Sequence, residues 1–208
     1  MILIFDLMDT LIEDPFFSNF YNHLNQHQKK NWLFNTNYEA YKLFEEGKIL
    51  EYEYFRNSYK LNPKELNLLP PQKIKKRMLK EIRFLKGIPE LLTQIKKKQF
   101  TLILASNYSI WYWEIFKKKK ELEEWFDYIF FSCEMGVRKP EKRFFSILHN
   151  AIQNYCEPNQ EILYFDDNQE NIKVIKKLNF QWECEWIYDK QQSSQIIYNF
   201  IKKKCPQF

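Results

Sequence analysis

The sequence predicts an open α/β fold in which helices cover a parallel sheet. Short apolar runs recur along the 208 residues, and stretches with helical periodicity separate them. The runs that we expect to form strands are residues 2–5, 100–105, 128–131, 162–165 and 182–187. The stretches that we expect to form the covering helices are residues 88–97, 143–153, 172–178 and 194–203.

The first two predicted strands are separated by a segment too long for one crossover helix. We therefore predict an α/β core of residues 1–12 and 86–208, with an α-helical domain of residues 13–85 inserted after the first strand. The insertion is rich in helix formers and aromatic residues, and we expect its last helix near residues 72–84. Pro70 and Pro71 interrupt it, and Gly47 is typical of a helix end. Most of its aromatic side chains should form its own core, although they could also line a pocket for a ring-bearing ligand.

Composition excludes several classes of function. The net charge of +5 comes from scattered lysines without a basic stripe or a nucleic-acid-binding motif, so we expect no nucleic-acid partner. No apolar run approaches the roughly 18 residues of a membrane helix, and we expect no membrane partner. The four cysteines lie far apart, which favours a reducing compartment and a cytoplasmic protein. The sequence gives no indication of the oligomeric state.

Polar residues stand where the predicted strands end, or open the helices that follow. In an open parallel sheet, ligands bind at the carboxyl ends of the strands. Each residue alone would be an ordinary turn or cap residue, but their order and strand context agree. These candidate site residues are Asp6, Ser106 with Asn107, Lys139, and Asp166 with Asp167.

The segments that carry these residues resemble the four motifs of the haloacid dehalogenase (HAD)-like hydrolase superfamily, in the same order. They read ILIFDLMDTL, TLILASN, MGVRKPEKRFF and ILYFDDNQENI. The resemblance implies a Rossmannoid core with a small α-helical (C1-type) cap, and a last motif of the DD type. It also implies a hydrolase, of the phosphatase kind, that acts on a small phosphorylated metabolite.

The resemblance further implies a role for each motif residue. Asp6 would be the nucleophile that forms an aspartyl-phosphate. Mg²⁺ would be the cofactor, because hard cations prefer oxygen ligands. Its expected ligands are the Asp6 side chain, the Met8 backbone carbonyl and the Asp167 side chain, with Asp166 binding through water or orienting the others. Ser106 and the backbone N–H of Asn107 would hold phosphate oxygens, and Lys139 would neutralise the charge on Asp6 and on the phosphoryl group.

Met8 departs from the family pattern. Phosphatases of the family carry a second Asp at this position as the general acid and base, and a thioether cannot transfer a proton. Asp9 stands where the family usually has Gly, so we expect its side chain to point elsewhere. Three alternatives remain open. In the first, hydrolysis proceeds on substrates with good leaving groups, or another acid such as Glu13, Asp14 or a cap residue replaces the missing group. In the second, the chain is a dehalogenase, although that branch of the family needs an early cap arginine and the first arginine here is Arg56. In the third, the chain binds a ligand without turnover.

Overall fold

The computed structural model describes residues 1–61, 68–157 and 159–208. Within these residues the sheet has five parallel strands in the order β3-β2-β1-β4-β5, which confirms the predicted fold class. The strands are β1 Ile2–Phe5, β2 Thr101–Ser106, β3 Tyr128–Phe131, β4 Ile162–Asp166 and β5 Glu183–Trp186. The observed bounds differ from the predicted ones by one residue in β2, β4 and β5.

Among the described residues between β1 and β2, the regular structure consists of helices, apart from isolated bridges. Its helices are α1 Pro15–Asn19, α2 Gln26–Asn35, α3 Tyr38–Glu45, α4 Glu51–Asn57, α5 Pro71–Met78 and α6 Ile88–Lys96, with a 3₁₀ turn at Tyr21–His23. We refer to residues 13–85, which contain α1–α5, as the insertion; its status as a separate domain stays a prediction. Gly47 follows the end of α3 with a φ of 67°, as expected for a residue after a helix.

The last predicted helix of the insertion is shorter than expected. It ends at Met78 instead of continuing to Phe84. Beyond it, the chain runs beside the loop that follows β1: the Glu13 N–H donates to the Arg83 carbonyl at 2.9 Å, and the Leu85 N–H donates to the Leu11 carbonyl at 2.9 Å. These backbone groups therefore bind another segment and are not available for helical hydrogen bonds.

The remaining helices follow β2 and the later strands. They are α7 Tyr112–Lys118, α8 Glu121–Trp125, α9 Ser132–Met135, α10 Lys142–Tyr155, α11 Gln169–Leu178 and α12 Ser193–Lys204, with a 3₁₀ turn at Lys190–Gln192. Lys139 and Pro140 were expected to open a helix, but α10 begins at Lys142, and Lys139 lies in the preceding turn. None of the helices in the described residues combines the length and hydrophobicity needed to span a bilayer.

The central strand β1 is buried on both faces. Leu3 and Phe5 belong to the larger apolar cluster, whereas Ile2 and Ile4 belong to the cluster on the opposite face. This division follows from the alternation of side chains along a strand. An all-apolar run is therefore what a central parallel strand requires, and the first polar residue after it, Asp6, emerges at the carboxyl edge of the sheet.

Candidate active site

Three of the predicted residues lie at the carboxyl ends of adjacent strands. Asp6 follows β1, Ser106 ends β2 and Asp166 ends β4, and β1 lies between the other two strands. The Asp6 N–H donates to the Phe165 carbonyl at 2.9 Å, which extends the sheet hydrogen bonding to Asp6. All three polar side chains are buried at this edge of the sheet.

The Lys139 ammonium group lies between the carboxylates of Asp6 and Asp166. Its Nζ donates to Asp6 Oδ1 at 2.6 Å and to Asp166 Oδ2 at 2.7 Å, and the residue is only 2% exposed. Its backbone is held by the Asn107 side chain: Asn107 Nδ2 donates to the Lys139 carbonyl at 2.8 Å, and the Lys139 N–H donates to Asn107 Oδ1 at 2.7 Å. Sequence reasoning considered only the backbone of Asn107 and missed this positioning contact, for which no local pattern gives a signal.

The Asp166 carboxylate is surrounded by donors. The Asn168 N–H lies 2.8 Å from Oδ1, Asn171 Nδ2 lies 2.9 Å from both oxygens, and the Tyr164 hydroxyl also donates. Asp167 is more exposed, and its backbone carbonyl accepts from Trp186 Nε1 at 2.8 Å. This contrast suits an orienting role for Asp166 and leaves the Asp167 carboxylate available to a ligand.

The acidic residues are close enough to share a cation. One carboxylate oxygen from each of Asp6, Asp166 and Asp167 lies within 4.8 Å of the others. Ligands about 2.1 Å from Mg²⁺ lie at such mutual distances in an octahedral shell. The Asn171 Oδ1 is also buried and lacks a hydrogen-bond partner among the described residues. These residues therefore fit a hard divalent cation.

Burial and mutual repulsion shift the ionisation of the acidic residues. Burial raises the pKa of Asp167 to about 8, and the charges of Asp6 and Asp166 act in the same direction. Burial likewise raises the pKa of Asp6 to about 6, against the opposing effect of Lys139. Burial lowers the pKa of Lys139, but the two carboxylates beside it outweigh burial and raise it overall. The site carries more negative charge than one ammonium group can balance, which favours cation binding.

The loop after β1 folds back on itself. The N–H groups of Leu11 and Ile12 both donate to the Leu7 carbonyl, at 2.9 and 3.0 Å. Asp9 adopts a φ of 49°, and its carboxylate accepts from the Asp14 N–H at 3.0 Å and from Lys190 Nζ at 2.9 Å. As expected, Asp9 is thus occupied elsewhere, although the sequence did not indicate its partners.

A cavity of about 630 Å³ extends from the floor of the site into the insertion. Asp6, Met8, Ser106, Asn107, Lys139, Asp166 and Asp167 all line it. Ten aromatic side chains line it; they are Phe16, Phe17, Tyr21, Trp32, Tyr38, Tyr41, Tyr54, Tyr59, Tyr108 and Trp111. The volume lies in the range of small-molecule sites. Among the described residues that line the cavity, Lys139 carries the single positive charge.

An ion pair between half-buried Arg138 and buried Glu45 connects the insertion to the core beside this cavity. Arg138 Nε donates to Glu45 Oε2 at 2.6 Å, and the Tyr41 hydroxyl donates to Glu45 Oε1 at 2.6 Å. The Ser132 hydroxyl donates to the Glu45 backbone carbonyl at 2.6 Å. Sequence reasoning did not select Arg138 or Glu45, because the pair joins residues far apart in the chain.

Comparisons with known proteins agree with this architecture. A family model described as haloacid dehalogenase-like hydrolase matches residues 3–182. The chain is 29% identical to flavin mononucleotide hydrolase 1 of Arabidopsis thaliana, a protein whose name assigns it to the chloroplast, over 88% of this chain and 71% of that protein.

Solved structures share the fold. The HAD family enzyme BT-2542 from Bacteroides thetaiotaomicron superposes with a TM-score of 0.64 at 18% identity, covering 88% of this chain and 91% of its own. A complex of the same enzyme with magnesium and inorganic phosphate superposes with a TM-score of 0.61 at 18% identity, covering 89% of this chain and 92% of its own. Magnesium-bound YfnB from Bacillus subtilis superposes with a TM-score of 0.60 at 21% identity, covering 89% of this chain and 87% of its own.

Proposed function

Because the chain belongs to the haloacid dehalogenase-like hydrolases, we propose that it is a Mg²⁺-dependent phosphomonoesterase with Asp6 as its nucleophile. One observation carries this proposal. Three carboxylates and a buried lysine, contributed by separate segments of the chain, converge at the carboxyl edge of the sheet on the floor of the cavity. A carboxylate nucleophile beside a bound cation is an arrangement suited to phosphoryl transfer.

In the proposed reaction, an Asp6 oxygen attacks phosphorus and the ester oxygen leaves. Ser106 and the Asn107 N–H bind phosphate oxygens, and Lys139 balances the charge on Asp6 and on the phosphoryl group. The Asp6 and Asp167 side chains and the Met8 carbonyl would hold Mg²⁺, which neutralises phosphate charge when bound. Asp166 orients Lys139 through the 2.7 Å ion pair. Water then cleaves the acyl phosphate and regenerates Asp6.

The carboxylate cluster also argues against the metal-free dehalogenase alternative. That chemistry needs a cationic group to hold a substrate carboxylate and halide, yet Lys139 already pairs with Asp6 and Asp166. Arg138 is paired with Glu45, and Arg56 is not among the described residues that line the cavity. A cluster of three acidic groups would repel the carboxylate of a haloacid.

The aromatic wall favours a substrate with a large planar ring. Aromatic side chains bind such rings by stacking and by burial of apolar area. Among the described residues that line the wall, none is a cation that could bind a second phosphate, so monophosphates are favoured over bisphosphates. The relative from Arabidopsis thaliana is named as a flavin mononucleotide hydrolase. We therefore propose flavin mononucleotide as the first natural compound to test.

The test measures phosphate release from p-nitrophenyl phosphate and from flavin mononucleotide, with Mg²⁺ or with EDTA. We expect turnover that requires Mg²⁺ and that Asp6→Asn abolishes, because an amide is not a nucleophile here. Acid quenching during turnover should trap one acyl phosphate per wild-type chain and none in Asp6→Asn. Specific ligand binding without phosphate release, in wild type and in Met8→Asp alike, would instead favour the binding-protein alternative.

A further inference from the structure

Asp14 is a half-buried acid that the reaction described so far does not use. It lines the cavity together with Asp6 and Met8. Its position follows from the folded-back loop, in which Met8 and Ile12 form an isolated bridge and Asp9 accepts from the Asp14 N–H. Ile12 therefore lies beside Met8, and Asp14 follows only two residues later.

Tyr108 lines the same cavity as Asp14. The Tyr108 hydroxyl is buried and has no partner among the described residues. The charge of Asp14 contributes, after burial, to raising the pKa of Tyr108. Tyr108 lies two residues beyond Ser106, and both line the cavity with Asp14, so Asp14 shares a cavity with the expected phosphate-binding loop.

The other acidic residues are committed elsewhere. Glu13 lies 3.9 Å from Arg83 and is not among the described residues that line the cavity. Glu45 lines the cavity but is held by Arg138 and by the Tyr41 hydroxyl. Asp9 binds Lys190. Beyond the three-carboxylate cluster, Asp14 is therefore the cavity acid in the described residues that lacks a cationic side chain within ion-pair distance.

We propose that Asp14 is the general acid and base that replaces the group absent at Met8, a proposal that rests on the proposed function. In the first step, an Asp6 oxygen forms a bond to phosphorus, the phosphorus–ester oxygen bond breaks, and the leaving oxygen takes the Asp14 proton. In the second step, the Asp14 carboxylate takes a proton from water as the water oxygen attacks phosphorus. The phosphorus–Asp6 bond breaks, which releases phosphate and restores both carboxyl groups.

The ionisation of Asp14 suits this role. Burial raises its pKa to about 6, the N–H groups of Phe16 and Phe17 and the charge of Lys190 lower it, and the charge of Asp9 raises it. The charge of Asp14 also acts on Tyr41 and Tyr108, and both stay neutral at ordinary pH because their pKa values are raised. A carboxyl group with a pKa near the working pH can both give and take a proton.

The competing explanation is that Asp14 only caps a helix. Its Oδ1 accepts from the Phe16 N–H at 2.8 Å at the start of α1. Asn caps helices about as well as Asp but cannot transfer a proton. Asp14→Asn therefore keeps the cap and removes the chemistry, and Asp14→Ser provides a second capping variant if the first folds poorly.

We expect Asp14→Asn to lower kcat/KM for flavin mononucleotide about 100- to 10,000-fold, because its alcohol is a poor leaving group. With p-nitrophenyl phosphate, rapid-quench measurement should still show a burst of one nitrophenol per chain, since this leaving group needs little protonation. Slow turnover should follow, because water attack lacks its base. Glu13→Gln is the matched control and should keep wild-type kinetics, and Met8→Asp added to Asp14→Asn should restore turnover.

The pH profile gives an additional readout. In wild type, kcat/KM for flavin mononucleotide should fall as pH rises above about 6, where Asp14 loses its proton; this contribution should be missing from Asp14→Asn. Asp14 variants that turn over within threefold of wild type would overturn the assignment of Asp14 while leaving Asp6 as nucleophile. A wild-type protein that gives neither Mg²⁺-dependent turnover nor a burst would overturn the proposed function together with this inference.

Discussion

Replacing Lys139 with Met should strongly destabilise the protein in the absence of metal. The ammonium group lies 2.6 Å from Asp6 and 2.7 Å from Asp166 and is almost fully buried. At an effective dielectric constant of about 20, each attraction is roughly 6 kcal/mol before the cost of desolvation is subtracted. Removing one partner of a buried pair typically costs about 3–5 kcal/mol, because a charge is left buried without compensation.

The expected cost lies in the lower part of that range. Asp166 retains donors from Asn168, Asn171 and Tyr164 after Lys139 is removed. We therefore expect a loss of about 3 kcal/mol in the free energy of unfolding, or roughly 6–12 °C in Tm for a chain of this size. A bound Mg²⁺ would replace the missing positive charge, so the Tm of Lys139→Met should rise more on adding Mg²⁺ than that of wild type.

Urea denaturation followed by circular dichroism, in EDTA and in Mg²⁺, measures both effects. The matched control is Lys142→Met, which removes an exposed ammonium group three residues away and should change stability by less than about 0.5 kcal/mol. If Lys139→Met in EDTA unfolds within 1 kcal/mol of wild type, the reasoning about the buried pair is refuted. An equal Mg²⁺ response in both proteins would contradict the shared cation site.

Three further predictions concern the insertion and the loop after β1. Gly136 has a φ of 68° and open space around it, so Gly136→Ala should lower the free energy of unfolding by about 1–2 kcal/mol. Gly47 has nearly the same φ, but an added Cβ would lie 2.1 Å from the Cys133 carbonyl oxygen. Gly47→Ala should therefore lower the free energy of unfolding, measured by urea denaturation, by about 2 kcal/mol more than Gly136→Ala. Equal losses would contradict the close approach. Burial favours the protonated form of Asp14 in the folded state, so wild type should lose about 1 kcal/mol relative to Asp14→Asn as pH rises from 4 to 7; a pH-independent difference in denaturation midpoint would show a solvated carboxyl group. Arg138→Met should lower stability by about 3 kcal/mol, since it leaves Glu45 buried without a cation, and an unchanged Tm would contradict the buried pair.

The placement of the strand-end residues could be predicted from the sequence. Apolar runs of strand length between helical stretches indicate a parallel sheet, and a polar residue directly after such a run must emerge at the sheet edge. Asp6, Ser106 and Asp166 follow this rule. The helical periodicity of the sequence did not predict that α5 ends at Met78. That end depends on backbone hydrogen bonds to the loop after β1, which is a different part of the chain.

The contacts that make the site a single unit depend on the tertiary structure. Asn107 and Lys139 bind each other across 32 residues, and Arg138 and Glu45 pair across 93. Neither pair leaves a periodic or local signal, since side-chain hydrogen bonds between distant segments are set by how the segments pack.

The sequence by itself determined the sheet, the strand-end carboxylates and the absence of a proton-transferring group at Met8, because each of these depends on residue type and local spacing. Only the tertiary structure decided which acid could take over that role. Glu13 and Asp14 are equally acidic neighbours in the sequence, but the folded-back loop leaves one beside Arg83 and brings the other into the cavity. Burial then raises the pKa of Asp14 to about 6, a property that arises only from removing the carboxyl group from water.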